Sequence, residues 1–206
     1  MKSRTRMVAE QIRARGVRDP RVLDALIRVP RHLFIPDACR AEAHEDRPVG
    51  IGFGQTISQP YIVGYMTEAL QLDPAHRVLE IGTGCGYQTA VLAELAREVY
   101  SVELIDALAQ RARRTLDDLQ YANVRIRAGD GYAGWLEHAP FDRILVAAAP
   151  EDVPKALIDQ LVDGGILVIP VGAAHQELRV LRKRGDRMET LSTLSVRFVP
   201  LIKSSA

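Results

Sequence analysis

The chain has 206 residues, 47% of them hydrophobic and 26% charged, with a formal net charge of +1 at pH 7. A globular chain of this size can bury a full core without disulfides, so we expect a single domain over residues 1–206. The charge gives no overall basic field for nucleic acid, and no run of about 18 apolar residues indicates a membrane span.

The cysteines give little sign of oxidative folding. Cys39 and Cys85 show no C-x-x-C spacing and suggest no disulfide framework. The first residues contain no apolar region typical of a signal peptide. We therefore expect a cytoplasmic protein, and we also expect it to be a monomer that needs no metal ion.

The first part of the chain, residues 1–75, is predicted to consist of helices and one loop. Each predicted helix has an apolar stripe at helical spacing and a cap or stop residue; these helices are expected over residues 4–15, 20–29, 37–44 and 61–73. Residues 46–60 contain three glycines and two prolines among polar side chains, which predicts a loop. Because loops of this length in compact domains are usually functional, we expect it to contact substrate.

From residue 76 the sequence alternates between apolar runs and helical stripes, which predicts a parallel sheet covered on both faces. Strands are expected at 77–81, 98–103, 124–128, 143–147 and 166–170, the last one reached through a Gly164-Gly165 turn. Residues 173–206 then favour an antiparallel hairpin with strands at 177–184 and 188–199. The predicted fold is therefore α/β and Rossmann-like, with a mostly parallel seven-stranded sheet and an N-terminal helical extension.

A glycine-rich turn joins the first of these strands to its helix. Gly82, Gly84 and Gly86 form G-x-G-x-G, whereas a dinucleotide fingerprint needs a glycine at position 87, which is Tyr. The acidic Glu80 precedes the turn, and Glu103 ends the next strand, where a carboxylate can accept both ribose hydroxyls. This pattern is typical of S-adenosylmethionine (AdoMet) sites. The predicted contacts are Glu80, Gly82, Thr83, Gly84, Cys85, Gly86, Glu103, Leu104, Asp130 and Gly131, within a donor-binding core at 76–172.

Several of these residues have an ordinary structural interpretation that stays open. Glu80 could bind the N–H groups of the turn instead of a ligand, and Asp130 could serve only its own Gly-Asp-Gly turn. Ser58 could be a helix cap ahead of Pro60. His32 could be catalytic, although a packed or surface position is the more ordinary role for such a histidine.

The whole chain resembles the protein-L-isoaspartate O-methyltransferase family. The most specific stretches are Gln-Thr-Ile-Ser-Gln-Pro at 55–60 and Val-Arg-Phe-Val-Pro-Leu at 196–201. Further similarity lies at 29–36, 54–61, 79–87, 129–135, 141–142, 164–165 and 169–172. The resemblance implies methyl transfer from AdoMet to the α-carboxylate of isoaspartyl residues in damaged proteins. The implied reaction yields S-adenosyl-L-homocysteine and a methyl ester, and the ester returns to aspartate through a succinimide.

The resemblance also implies roles for individual residues. Ser58 is the expected catalytic residue and contacts the substrate, and Gln55, Thr56 and Ile57 beside it contact the donor. The substrate peptide is expected to pair with the last strand through Val196, Phe198, Val199 and Pro200. A carboxylate acceptor is already ionised at pH 7, so the reaction needs positioning and no general base.

Two positions depart from the family pattern. Cys85 stands where a small hydroxyl residue is usual, and Ala147 stands where Thr is common.

The sequence leaves three other functions open: a nucleic-acid or small-molecule methyltransferase, a non-catalytic AdoMet-binding protein, and a nicotinamide dehydrogenase. Residues 147–150 read Ala-Ala-Ala-Pro, which offers no polar group to hold a base amine, and the glycine spacing disfavours the dehydrogenase.

Overall fold

A computed structural model of the chain describes residues 3–203. Its strands are β1 (Val49–Gly52), β2 (Gln55–Ile57), β3 (Arg77–Ile81), β4 (Glu98–Glu103), β5 (Val124–Ala128), β6 (Phe141–Val146), β7 (Leu161–Val171), β8 (Gln176–Arg184) and β9 (Arg187–Val196). Its α-helices are α1 (Arg4–Met7), α2 (Pro20–Arg28), α3 (Pro60–Ala69), α4 (Tyr87–Ala93), α5 (Asp106–Asp118) and α6 (Lys155–Asp159).

The main sheet has seven strands in the order β5-β4-β3-β6-β7-β8-β9. The first five in this order are parallel, and β8 and β9 are added as an antiparallel hairpin. The predicted fold class is therefore confirmed. The strand order reverses between β3 and β6, which is the place where open α/β sheets bind ligands, beyond the carboxyl ends of the strands.

Two apolar clusters cover the two faces of this sheet. Because side chains alternate along a strand, Val78 packs into one cluster and Leu79 into the other. The first cluster includes α4, α5 and the N-terminal helices, and the second includes Leu157 of α6. With both faces buried, the edge formed by the strand ends is left to build a site.

The N-terminal helices largely follow the prediction. Residues 4–15 are helical throughout, but α1 continues as a π-helical turn (Val8–Ile12) and a 3₁₀ turn (Arg13–Arg15). The helix α2 begins with Asp19 as its N-cap and Pro20 in its first turn. The prediction for residues 37–44 is wrong in kind, because this segment is a 3₁₀ turn at Asp37–Glu42.

The segment at 46–60 is not the irregular loop that its composition predicts. The strands β1 and β2 pair antiparallel within it, and Val49, Ile51 and Ile57 are buried in the core. Its tip is Gly52-Phe53-Gly54, where all three φ angles are positive and turn the chain sharply. The glycines therefore make a hairpin turn, and the alternating apolar residues hold the hairpin on the core.

Two boundaries in the C-terminal half also differ from the prediction. The strand β7 begins at Leu161, so Gly164 and Gly165 lie inside it, at an irregularity in its pairing with β6. The strand β9 ends at Val196, three residues before the predicted end. The reason lies in the contacts of residues 197–201, which belong to the site described below.

The helices within residues 3–203 do not combine the length and apolar character that a membrane crossing requires. In the same part of the chain, no three His, Cys, Asp or Glu side chains gather as they would around a metal ion.

Candidate active site

A cleft with a cavity volume of about 130 Å³ opens at the carboxyl ends of β3, β4 and β6. Most of the predicted donor-binding residues line it: Gln55, Thr56, Ile57, Gly82, Thr83, Gly84, Cys85, Glu103, Leu104 and Gly131. Ser58, Val199 and Pro200 line the same cleft from the other side. The fold thus brings together segments that are far apart in sequence.

The glycine turn forms one wall of the cleft. Gly82, Gly84 and Gly86 have φ angles of 92°, 55° and 90°, which L side chains rarely adopt. Gly86 is the N-cap of α4 and packs toward Leu116 and Ala112, so it serves the turn and does not line the cleft. A Cβ added at Gly82 would lie 3.4 Å from the Cβ of Ala147, which follows the neighbouring strand β6 and bonds the end of β3.

Glu103 is buried at the end of β4 and holds the turn in place. Its carboxylate accepts the Gly84 N–H at 2.7 Å and the Ile105 N–H at 3.0 Å, one on each oxygen. A carboxylate has about four acceptor sites, so each oxygen keeps room for another donor. The arrangement suits a ligand with two neighbouring hydroxyl groups.

Glu80 lies beneath the turn and does not line the cleft. Its Oε2 accepts the Thr89 hydroxyl at 2.5 Å and the Ser101 hydroxyl at 2.6 Å, and Ser101 contacts the Thr83 hydroxyl at 2.5 Å. The sequence left two roles open for Glu80, a ligand contact and a bond to the N–H groups of the turn. Neither describes its position, because within residues 3–203 Glu80 bonds side-chain hydroxyls and no turn N–H. Its link to the cleft is indirect, through Ser101 and the cleft-lining Thr83.

Burial raises the pKa of Glu80 to about 7, against the opposing effect of the Ser101 and Thr89 hydrogen bonds. A carboxyl with a raised pKa in the folded state stabilises the fold below its unfolded pKa, near 4.5, and loses that contribution as pH rises through 7. We therefore expect the unfolding free energy of the wild type to fall by about 2–3 kcal/mol between pH 5 and pH 8, relative to Glu80→Gln. Urea unfolding of both proteins at the two pH values measures this difference, and a constant difference would contradict the raised pKa.

The segment around Ser58 forms the opposite wall. Gln59 is the N-cap of α3, so the capping role that the sequence allows for Ser58 is wrong. The Ser58 hydroxyl makes no hydrogen bond with any residue between 3 and 203, which leaves it available to a ligand. The main-chain carbonyl of Ser58 accepts a hydrogen bond from Arg31 Nη2 at 2.8 Å.

Asp130 and Gly131 follow β5. The Asp130 carboxylate accepts the Tyr132 N–H at 2.8 Å and caps the 3₁₀ turn Gly131–Ala133. This is the turn role that the sequence left open, and Asp130 does not line the cleft. Gly131 does line it, and a Cβ added there would lie 2.4 Å from Ile81 Cγ2, so only glycine fits against β3.

Residues 197–202 leave the sheet and close the cleft. The Gln176 side chain bonds both main-chain groups of Phe198, accepting from its N–H at 2.6 Å and donating to its carbonyl at 3.2 Å. Ala149 then bonds the Val199 carbonyl and the Leu201 N–H, so the chain crosses to the end of β6. These contacts explain why β9 stops at Val196, and they correct the prediction of a continuous strand through Val199.

The predicted substrate residues are divided between two neighbouring clefts. Val199 and Pro200 line the first, whereas Val196 and Phe198 line a second cleft that shares Pro200 and Leu201 with it. Sequence reasoning missed Leu201, Ile202 and Tyr87 as lining residues. Tyr87 directly follows the glycine turn, so its position was a signal, but nothing in the sequence indicated that the last residues fold back over the site.

In the described part of the chain, His32 and the two cysteines show no sign of a catalytic role. His32 does not line the cleft; burial and the nearby Arg4 and Arg40 lower its pKa, and its ring meets that of His44 edge-on at 6.3 Å. Cys39 is a partly buried free thiol, and Cys85 is a buried one whose pKa is raised by burial.

The sequence model of the family described as protein-L-isoaspartate(D-aspartate) O-methyltransferase matches residues 2–206. The chain belongs to this family. A protein-L-isoaspartate O-methyltransferase from a Picosynechococcus species is 57% identical over 96% of the chain and 89% of its own length. One from Gloeobacter violaceus is 54% identical over 96% of the chain and 97% of its own length.

Solved structures of the isoaspartate methyltransferase family have the same fold. A protein-L-isoaspartate O-methyltransferase matches with a TM-score of 0.88 and 28% identity, over 96% of this chain and 65% of the solved one. A putative family member from Plasmodium falciparum, solved in complex with S-adenosyl-L-homocysteine, matches with a TM-score of 0.84 over 99% of this chain and all of its own. At 24% identity, the second structure supports the fold alone.

Proposed function

We infer that this protein transfers the methyl group of AdoMet to the α-carboxylate of L-isoaspartyl residues in damaged proteins, leaving S-adenosyl-L-homocysteine. The main-chain nitrogen of the following residue then attacks the methyl ester and releases methanol, which closes a succinimide whose hydrolysis partly restores aspartate. One observation carries this inference beyond family membership. A single cleft joins the glycine turn and Glu103 on one wall to Ser58 and the C-terminal segment on the other.

The residues of the first wall fit the donor. When bound, AdoMet supplies a methyl group on a positively charged sulfur. The open backbone at Gly82 and Gly84 lets a ligand approach closely, and Glu103 keeps acceptor sites free for two ribose hydroxyls. Glu103 thereby has two functions in this proposal, since the same carboxylate also fixes the turn.

The second wall suits an acceptor that arrives ready to react. The α-carboxylate is ionised at neutral pH, so no general base has to remove a proton. The protein has to hold one carboxylate oxygen in line with the methyl group and exclude water, and positioning of this kind supplies at best roughly 7–11 kcal/mol. The Ser58 hydroxyl can orient the carboxylate with a single hydrogen bond, which avoids overstabilising the anion before reaction.

The shape of the C-terminal segment supports a path for the peptide. Val199 and Pro200 border the methyl-transfer cleft, and Val196 and Phe198 border the adjoining one. We propose that the peptide crosses Pro200 from one cleft to the other. Since Gln176 occupies the main-chain groups of Phe198, peptide pairing would use other main-chain groups of this segment, and Phe198 would contribute its side chain.

Removing the Glu103 carboxylate is expected to weaken donor binding. In Glu103→Ala the ribose loses a charge-assisted acceptor and the Gly84 N–H loses its partner, so donor affinity should fall about 10- to 100-fold. Calorimetric titration with S-adenosyl-L-homocysteine measures the effect. Glu189→Ala, which changes an exposed carboxylate on β9, is the matched control and should leave affinity unchanged. Unchanged affinity in Glu103→Ala would remove Glu103 from the donor site.

We propose that the substrates are diverse proteins containing isoaspartate, and that the enzyme acts as a monomer in the cytoplasm. Main-chain recognition would support such a range of substrates, because it reads few side chains.

The activity is tested with labelled AdoMet and two peptides that differ only in having isoaspartate or aspartate at one position. We expect base-labile label on the isoaspartyl peptide alone. Equal labelling of both peptides, or of neither, would contradict the proposed function.

A further inference from the structure

Arg31 is an arginine with no exposed surface, and it lies directly behind Ser58. Its Nε donates to the Ala43 carbonyl at 2.8 Å, and its Nη2 donates to the Ser58 carbonyl at 2.8 Å. Its guanidinium lies 4.8 Å from the centre of the Tyr87 ring, which lines the cleft. The side chain thus connects residues before the β1–β2 hairpin with the residue that follows it.

The positive charge of Arg31 has no carboxylate partner within residues 3–203. Burial lowers the pKa of Arg31, and the groups that oppose this are Tyr87 and Cys85, which both line the cleft. In the same part of the chain, its Nη1 has no hydrogen-bond partner. A buried cation without a counterion is costly, because few groups replace the water that it has lost.

A neutral side chain could hold two carbonyls without this cost, so the charge needs another explanation. The proposed substrate brings a carboxylate to Ser58, on the cleft side of the same segment. A buried cation behind that segment would favour an arriving anion, because the protein interior screens the attraction between two charges less than water does.

Resting on the proposed function, we propose that Arg31 is a positioning residue for methyl transfer. It fixes the main chain of Ser58, so that the hydroxyl orients the substrate carboxylate, and its charge favours binding of that carboxylate. The two effects separate in the kinetics. Methyl transfer consumes the negative charge, so the field of Arg31 acts mainly on substrate binding and KM, whereas the position of Ser58 acts on kcat.

The first test compares Arg31→Met, which removes both effects, with Arg31→Lys, which keeps the charge but cannot reproduce the planar fork. In Arg31→Met we expect KM for an isoaspartyl peptide to rise and kcat to fall, each about tenfold or more. In Arg31→Lys we expect KM within about threefold of wild type while kcat stays about tenfold low. Affinity for S-adenosyl-L-homocysteine should stay within about threefold in both.

Arg143 provides a matched control on the other side of the fold. It also donates to main-chain carbonyls, those of Leu70, Gln71 and Asp142, and burial lowers its pKa, but it does not line the cleft. Arg143→Lys is expected to change stability and neither kcat nor KM. The positioning role is overturned if both Arg31 variants keep wild-type kinetics. It is also overturned if affinity for S-adenosyl-L-homocysteine changes by as large a factor as kcat and KM for the peptide.

A double-mutant cycle tests whether Arg31 acts through Ser58. If it does, Arg31→Lys should lower kcat far less in the Ser58→Ala background than in the wild type. Equal losses in the two backgrounds would overturn the connection. Wild type that methylates no isoaspartyl peptide would instead contradict the proposed function.

The effect of the charge can also be measured without any variant, in case a buried substitution prevents folding. An isoaspartyl peptide and its α-carboxamide analogue are compared for binding to the wild-type complex with S-adenosyl-L-homocysteine. We expect the carboxylate form to bind about tenfold more tightly. A preference of less than about twofold would overturn the charge effect of Arg31 whatever the variants show.

Discussion

Replacing Ser58 by alanine is expected to lower kcat/KM for an isoaspartyl peptide about 100-fold, through loss of orientation of the carboxylate. The main chain should keep its place, because Arg31 bonds the Ser58 carbonyl and not its hydroxyl. Affinity for S-adenosyl-L-homocysteine is therefore expected to stay within about threefold of wild type. Steady-state kinetics with peptide, together with calorimetric titration of the cofactor product, measure both quantities.

Ser195→Ala is the control for this substitution, since Ser195 is an exposed residue of β9. It should leave both the kinetics and the cofactor affinity at wild-type values. If Ser58→Ala keeps full turnover, the hydroxyl does not orient the substrate. A large loss of cofactor affinity would mean that Ser58 belongs to the donor half of the site.

Replacing Gly82 by valine is expected to weaken donor binding more than 100-fold, on the order of 3 kcal/mol. Two causes combine at this position. Its φ of 92° is unfavourable for a β-branched residue, and the new side chain would crowd Ala147, which lines the cleft beside it. Isothermal titration with S-adenosyl-L-homocysteine measures the loss.

Gly164→Val separates these causes. Gly164 has a φ of 77°, with no neighbouring atom near an added Cβ, and it lies away from the cleft. This variant should lower the melting temperature through backbone strain and leave donor affinity unchanged. Were Gly82→Val to bind the donor as tightly as the control, the glycine turn could not be the donor site.

The parallel sheet was predictable because its signals are local. The apolar runs that became β3, β4 and β6 are largely buried on both faces, and such strands read as continuous hydrophobic stretches. The glycine turn follows β3 directly, and Glu103 ends the neighbouring strand, so their meeting at one edge follows from the topology alone. This is why the donor half of the cleft was inferred from spacing.

The acceptor half depends on contacts that no local pattern contains. The glycines near position 53 predicted a loop, although buried Ile51 and Ile57 hold a hairpin on the core. The course of residues 197–202 is set by the side chain of Gln176 and by Ala149, both distant in sequence. Arg31 gave no signal either, because a lone arginine after a helix is ordinarily exposed.

Glu80 shows a limit of motif reasoning. Its place beside the glycine turn suggested a ligand contact, yet the carboxyl lies beneath the turn among hydroxyl groups. The side chains of a strand alternate between faces, so adjacency in sequence does not decide which one reaches the cleft. Glu103 reaches it because it ends its strand.

In the proposed reaction, one cleft holds the donor on the glycine turn and the acceptor carboxylate at Ser58. A crystal structure with S-adenosyl-L-homocysteine and an isoaspartyl peptide tests it most directly. We predict the ribose on Glu103, the sulfur facing the serine segment, and a carboxylate oxygen within hydrogen-bond distance of Ser58 Oγ. A sulfur that faces away from Ser58, or a peptide bound outside the two adjoining clefts, would contradict the account.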